Sequence, residues 1–310
     1  MDNILTNNKE NKKINGLSTI VLKILATIFM TIDHIGHALE IFTNDSSLNV
    51  LIYILRFLGR FAFPIFIFLL IEGLYHTSNI KKYLLRLGIG SLLIYISITL
   101  IQIISNNKIN FNYDGNIFLT LFILALLYYF INYSKYKFLV FIPILYIIAS
   151  LAIKLIFVLG FYTINEVSSF IYFNGLFLQY DILGPILFIF ILVSYKIYDR
   201  KIANTLGNDI NAIEKFKASN EYQKSKNILV CIIIAILSLV CYLITYLPFY
   251  QNGIELLSDC ALQSGMFFSS LLIFFYNGRK GYSNKKIKYI FYLYYPLHIV
   301  LIYLIFSFIF

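Results

Sequence analysis

Residues 17–42 read LSTIVLKILATIFMTIDHIGHALEIF. The run exceeds the ~20 apolar residues an α-helix needs to cross a bilayer. It also exceeds the apolar core of a secretory signal peptide, so it is expected to remain in the protein as a membrane span. Within it stand Asp33, His34, His37 and Glu40. A charged side chain at mid-bilayer costs about 2.5–3.5 kcal/mol on insertion scales, and those that persist face a bundle interior and mark functional paths. The stretch is therefore read both as an anchor and as part of a site.

Working outward, the 310 residues are 60% hydrophobic and only 13% charged, against roughly 25% charged in soluble domains. Apolar runs near 17–42, 48–75, 83–104, 116–132, 138–161, 181–198, 228–247, 254–277 and 287–310 predict an all-α, polytopic transmembrane bundle of about nine spans in one domain, 1–310. The stretch Glu166 to Tyr180 is apolar but short and broken by Asn174 and Gly175. It reads as a re-entrant or interfacial half-helix, or else as a tenth span.

Charge tests this map, because cytoplasmic loops carry the Lys and Arg excess. Alternating spans from a cytoplasmic N-terminus place 20 of the 25 basic residues on one side, in the loops around residues 9–13, 81–86, 135–137, 196–226 and 279–288. Only Lys108 falls on the other. The net charge of +10 is thus topological and does not predict a nucleic-acid partner. The segment 196–226 reads as a mobile cytoplasmic loop, with a short helix near 209–216 compatible with its pattern. Cys231, Cys241 and Cys260 lie in apolar runs without metal-ligand spacing, so packing roles are expected and no metal site is.

At ~100° per residue, Asp33, His37 and Glu40 share one face of span one with His34 on its flank, and Arg56 and Arg60 share one face of span two. At ~1.5 Å rise per residue the two faces meet at one depth, so an ion pair from Asp33 to Arg56 or Arg60 is expected. Asp259, Gln263 and Ser270 form a weaker stripe in span eight, and His298 sits near mid-span in the last helix. Together these predict a polar pocket in the outer half of the bundle. A buried Asp–Arg pair also serves as a plain helix staple. Lys154 reads better as a helix-end lysine reaching the headgroups, and Lys81, Lys82 and Arg86 as topology determinants. The concentration of Asp, His and Arg at one depth suits a transferase, a proton-coupled transporter, a flippase or, without catalysis, a scaffold.

The segment Leu22-Lys23-Ile24-Leu25 through Asp33-His34-Ile35-Gly36 resembles the opening of the TraX family of membrane proteins. Span two, from Leu55-Arg56 through Gly59-Arg60-Phe61-Ala62-Phe63-Pro64-Ile65-Phe66 to Glu72-Gly73 and His76-Thr77, is similar to that family's second block, and Lys82–Leu87 to its next. Tyr276–Gly281 and Lys288–His298 are similar to its closing signature. The resemblance implies an acyltransferase of the bacterial cytoplasmic membrane, since the family's founding member is linked to N-terminal acetylation of conjugative F-pilin. Acetyl-CoA is the implied donor, and a pilin-like protein amine or a cell-surface glycan hydroxyl the acceptor, beside the lipid bilayer. On this reading His34 is the general base, oriented by Asp33 or His37, and Arg56 or Arg60 stabilises the oxyanion, with His298 in the same group. Glu72, Lys81, Lys82 and Arg86 are expected near the coenzyme phosphates. The alternatives are a transporter or flippase using the same charges, and a non-catalytic scaffold of a pilus or conjugation apparatus.

Overall fold

The computed structural model describes residues 16–43, 45–104, 115–158, 176–247, 260–282 and 285–309. All are helix or connection; isolated bridges pair Leu17 with Tyr276 and Asn116 with Leu178, and no strand occurs among the described residues. The helices are α1 (Thr19–Phe42), α2 (Asn49–Gly59), α3 (Ala62–His76), α4 (Ile80–Ile104), α5 (Ile117–Asn132), α6 (Phe141–Val158), α7 (Leu183–Thr205), α8 (Ile210–Lys217), α9 (Asn220–Ile244), α10 (Cys260–Phe274, 3-10 over Ser264–Phe268) and α11 (Lys285–Ile309). Lys108, Asp259 and the stretch 166–175 lie outside the described residues.

Among the described residues, six helical segments are long and apolar enough to cross a membrane: Thr19–Phe42, Ser46–His76, Ile80–Ile104, Lys137–Ile156, Asn220–Ile244 and Ile290–Ile309. Helices α5 and α10 are apolar but shorter. Along α9, Val230, Ile234, Leu237 and Cys241 are buried, while Ile228, Ile232, Ile236, Leu239 and Leu243 are exposed. A helix that is apolar on its outward face as well as its inward one belongs in lipid. The chain is thus a multi-pass helical membrane protein.

Span two is not one helix. The backbone tightens where Arg60 N–H reaches Phe57 O at 3.1 Å and Phe61 N–H reaches Leu58 O at 3.2 Å. Pro64 explains the break, since it has no N–H for the Arg60 carbonyl and its ring would clash with that group. Pro64 is tolerated in the first turn of α3, where N–H groups lack helical partners anyway. The segment 196–226 is also not a loop: α7 runs on to Thr205, α8 fills the predicted short helix, and α9 begins at Asn220 under a Ser219 cap. Leu183–Tyr195 is the apolar part of α7, and its charged continuation prolongs the helix beyond the apolar run.

The first and last helices run parallel. Thr31 meets Tyr294, His34 meets His298, His37 meets Tyr303 and Phe42 meets Phe306, in ascending order. The end of the bundle where α1 starts is closed by backbone bonds from Leu17 N–H to Phe275 O (2.8 Å) and Thr19 N–H to Arg279 O (2.9 Å). We call this the lower end, and the end of α1 at Phe42 the upper.

Candidate functional site

Close approach of α1 and α2 builds the site. A side chain on Gly59 would place its Cβ 2.2 Å from Asp33 Cβ, and one on Gly36 would meet Leu55 Cβ at 2.9 Å. Glycine at both positions is what lets the polar face of α1 meet the arginines. Asp33 Oδ2 accepts from Arg56 Nη1 at 3.0 Å, and Arg60 Nη2 lies 3.9 Å from Asp33 Oδ1. Arg56 also turns its Nε toward Glu40, 3.6 Å away. Asp33 and Arg60 are buried. A carboxylate shared by two guanidinium groups neutralises charge that neither helix could carry alone.

The histidines sit on the other flank of α1. His37 Nδ1 hydrogen-bonds the Tyr303 hydroxyl. His34 and His298 rings meet edge to face, centroids 5.0 Å apart, and Tyr294 stacks on His298 at 5.1 Å. His298 Nδ1 lies 3.0 Å from the Tyr294 carbonyl oxygen. A carbonyl only accepts, so Nδ1 carries a proton, and whenever the ring is neutral Nε2 offers its lone pair. That Nε2, and Nδ1 of His34, are buried without a hydrogen-bond partner.

Asp33, His34, His37 and Arg56 line a cavity of about 60 Å³ together with Gly59, Tyr180, Tyr295 and Tyr303. A water needs roughly 10–15 Å³ of such space, so the cavity holds a few waters or a small organic group. Met30, Phe66, Ile94, Ile98 and Ile299 form its apolar wall. Of the expected group, Asp33, His34, His37 and Arg56 line the cavity; Arg60 and His298 do not line it but contact Asp33 and His34, and Glu40 is exposed beside Arg56. Gln263, from the weaker stripe, is buried on α10.

The segment entering α7 closes one side, and sequence reasoning missed it. Gln179 N–H donates to Thr120 Oγ1 at 2.8 Å, and Asn116 N–H to Phe177 O at 2.9 Å. Tyr180 stacks on Phe63 with centroids 3.8 Å apart and lies 5.9 Å below the Arg60 guanidinium. Tyr180 and Asp181 both have left-handed backbone, φ 64° and 46°, which costs an L-residue about 1–2 kcal/mol each. Lys154, expected to reach the headgroups, instead donates to both carboxylate oxygens of Asp181 at 2.7 and 2.9 Å. With Asp181 in reach, burying the ammonium as a pair satisfies both charges, which extension to a headgroup would not.

The residues expected near the coenzyme phosphates do not stay together. Glu72 is buried near the lower end and accepts from Lys226 Nζ at 2.8 Å and from the Tyr195 hydroxyl at 3.2 Å. The ammonium lies over the rings of Tyr195 (4.1 Å), Tyr75 (5.3 Å) and Tyr222 (5.4 Å). Both bonds to Glu72 fall on Oε1, and Oε2 is buried 3.6 Å from His76 Nε2. Lys81 and Lys82 are exposed at the start of α4, and Arg86 is half-buried over the Tyr83 ring at 5.5 Å. No group of three or more His, Cys, Asp or Glu side chains able to hold a metal occurs among the described residues.

Residues 18–181 match the family model of the TraX protein. The probable fimbrial assembly protein FimC of Dichelobacter nodosus is 29% identical over 290 residues, covering 92% of this chain and 94% of its own. No solved structure matches the chain. The family match spans α1 through the entry to α7 and so includes Asp33, the histidines of α1, both arginines and Tyr180: the chain belongs to the TraX family.

Proposed function

We propose that the protein is a membrane-embedded acyltransferase that moves a small acyl group, acetyl on the family resemblance, from a cytoplasmic coenzyme A thioester to an acceptor amine or hydroxyl. The observation that carries this is His34, whose buried Nδ1 has no hydrogen-bond partner and which lines a cavity sized for a small group together with Asp33 and Arg56, with the unpartnered Nε2 of His298 on the ring that meets His34.

His298 Nε2 or His34 Nδ1 takes the proton of the acceptor, whose nitrogen or oxygen then attacks the thioester carbonyl. The C–S bond breaks, and the thiolate leaves with a proton returned by the histidine. Arg56 and Arg60 stabilise the developing oxyanion, and Asp33 fixes their forks. His37 is oriented by Tyr303. Lys81, Lys82 and Arg86 would hold the phosphates of the donor, on the side where the basic residues of α4, α7 and α9 gather. That gathering supports a cytoplasmic lower end and, with all apolar helices crossing, nine spans. The acceptor then approaches the upper half. The relative's name as a fimbrial assembly protein favours a pilin-like amine over a glycan hydroxyl.

Purified protein in nanodiscs with labelled acetyl-CoA, a pilin N-terminal peptide and a glycan acceptor tests this, with products identified by mass spectrometry. Acetylation of either acceptor supports the enzyme. Substrate uptake into proteoliposomes with no acyl transfer would establish the transporter reading instead.

A further inference from the structure

Lys154, Asp181 and the left-handed turn at Tyr180–Asp181 lie outside the acyl-transfer machinery described above. The structure assigns them a role in the site: we infer that the Lys154–Asp181 pair is a positioning device that holds Tyr180 under Arg60. This rests on the acyltransferase reading and deepens it.

Three independent observations converge. First, two consecutive non-glycine residues adopt φ of 64° and 46°, and strain of this kind persists only where its surroundings over-determine it, typically at functional sites. Second, the surroundings do so here. Asp181 takes both carboxylate bonds from Lys154, Leu178 N–H donates to Ser150 Oγ at 3.2 Å, and Gln179 N–H donates to Thr120 Oγ1. Third, the strained residue is the one that reaches the cavity. Tyr180 lines it, clamped between Phe63 and the guanidinium of Arg60. A plain staple between α6 and the entry to α7 would need the pair but neither the left-handed turn nor an aromatic ring delivered to an arginine. Arg60 thus rests on Asp33 at one end and on Tyr180 at its face, which fixes the plane of its donors before the transition state forms.

Because the chain has no tryptophan, Tyr180→Trp introduces a sole tryptophan in this seat, read by exciting it selectively over the tyrosines. Emission in the Tyr180→Trp background is expected to be blue and weakly quenched by acrylamide. Adding Asp181→Asn or Lys154→Gln should shift it to the red and raise the quenching, whereas Lys154→Arg should hold it. In the chain that keeps Tyr180, Asp181→Asn should lower kcat about 10- to 100-fold with KM for acetyl-CoA nearly constant, and Lys154→Arg should recover most of it. If Asp181→Asn fails to elute as a folded species, Lys154→Gln and Lys154→Arg carry the comparison. Unchanged emission and unchanged kcat in the charge-removing variants would overturn the inference. If the parent chain transfers no acyl group, the enzyme reading fails, and the emission of the variants alone decides the positioning role.

Discussion

At the residue scale, the site depends on atoms that are missing as much as on those present. Gly59 lets Asp33 lie against α2, and a Cβ there would stand 2.5 Å from Asp33 Oδ1. Gly59→Ala is therefore expected to destabilise by about 1–3 kcal/mol, as overpacked cores do, and to displace Asp33 from Arg56. A lower midpoint of thermal unfolding in detergent, together with reduced acyl transfer, checks this. Neutralising both charges separates a catalytic role from a scaffold. The double variant Asp33→Asn, Arg56→Gln removes that ion pair and leaves buried Arg60 without its carboxylate, so it should elute as a folded species with a lower unfolding midpoint and yet lose transfer. Full pilus-related function in that variant would favour a scaffold. The ion pair was readable from the sequence because i, i+4 spacing and helix rise fixed the face and depth of both partners. The engagement of both arginines was not readable, since it depends on the break at Pro64. Tyr303, as partner of His37, was also invisible, being one of many tyrosines until α11 is seen to run parallel to α1.

At the scale of elements, span two carries two polar centres. Arg60, at the junction of α2 and α3, serves Asp33 and Tyr180 beside the cavity, while Glu72 of α3, about 18 Å further along at 1.5 Å per residue, is locked to Lys226 of α9. The pair is almost fully enclosed, each side chain no more than 4% exposed. Removing one partner of such a pair leaves an uncompensated charge and costs about 3–5 kcal/mol, whereas replacing both with apolar groups is often neutral or better. Glu72→Gln should thus unfold at lower temperature than the parent, and the double variant Glu72→Leu, Lys226→Leu should recover most of the loss. Equal losses in both variants would contradict a purely compensating pair. Sequence reading placed Glu72 with the coenzyme because charge and side were all it had. Its partner lies 154 residues away, on a helix whose first turns looked like part of a loop. Lys154 misled in the same manner: Asp181 stands at the end of an apolar stretch with no periodicity to aim it.

At the scale of the whole molecule, the helical class and most span positions were legible, because hydrophobic length is a property of local sequence. Shared faces and parallel packing of α1 with α11 were partly legible through His298. Orientation rests on the asymmetry of basic residues, and it can be read directly. Ser47→Cys, at the upper end, should react with an impermeant maleimide on intact cells, and Tyr136→Cys, in the turn between α5 and α6, only after permeabilisation. The reverse pattern would invert the passage from donor to acceptor. The measurement closest to the central claim is acetyl transfer by the purified protein in nanodiscs with the histidines removed one at a time. General acid–base catalysis contributes about 10²–10⁴-fold, so His34→Ala and His298→Ala should each lower turnover by at least about 100-fold while circular dichroism and elution stay unchanged. Full turnover in both variants would mean that the buried imidazoles do not carry the chemistry.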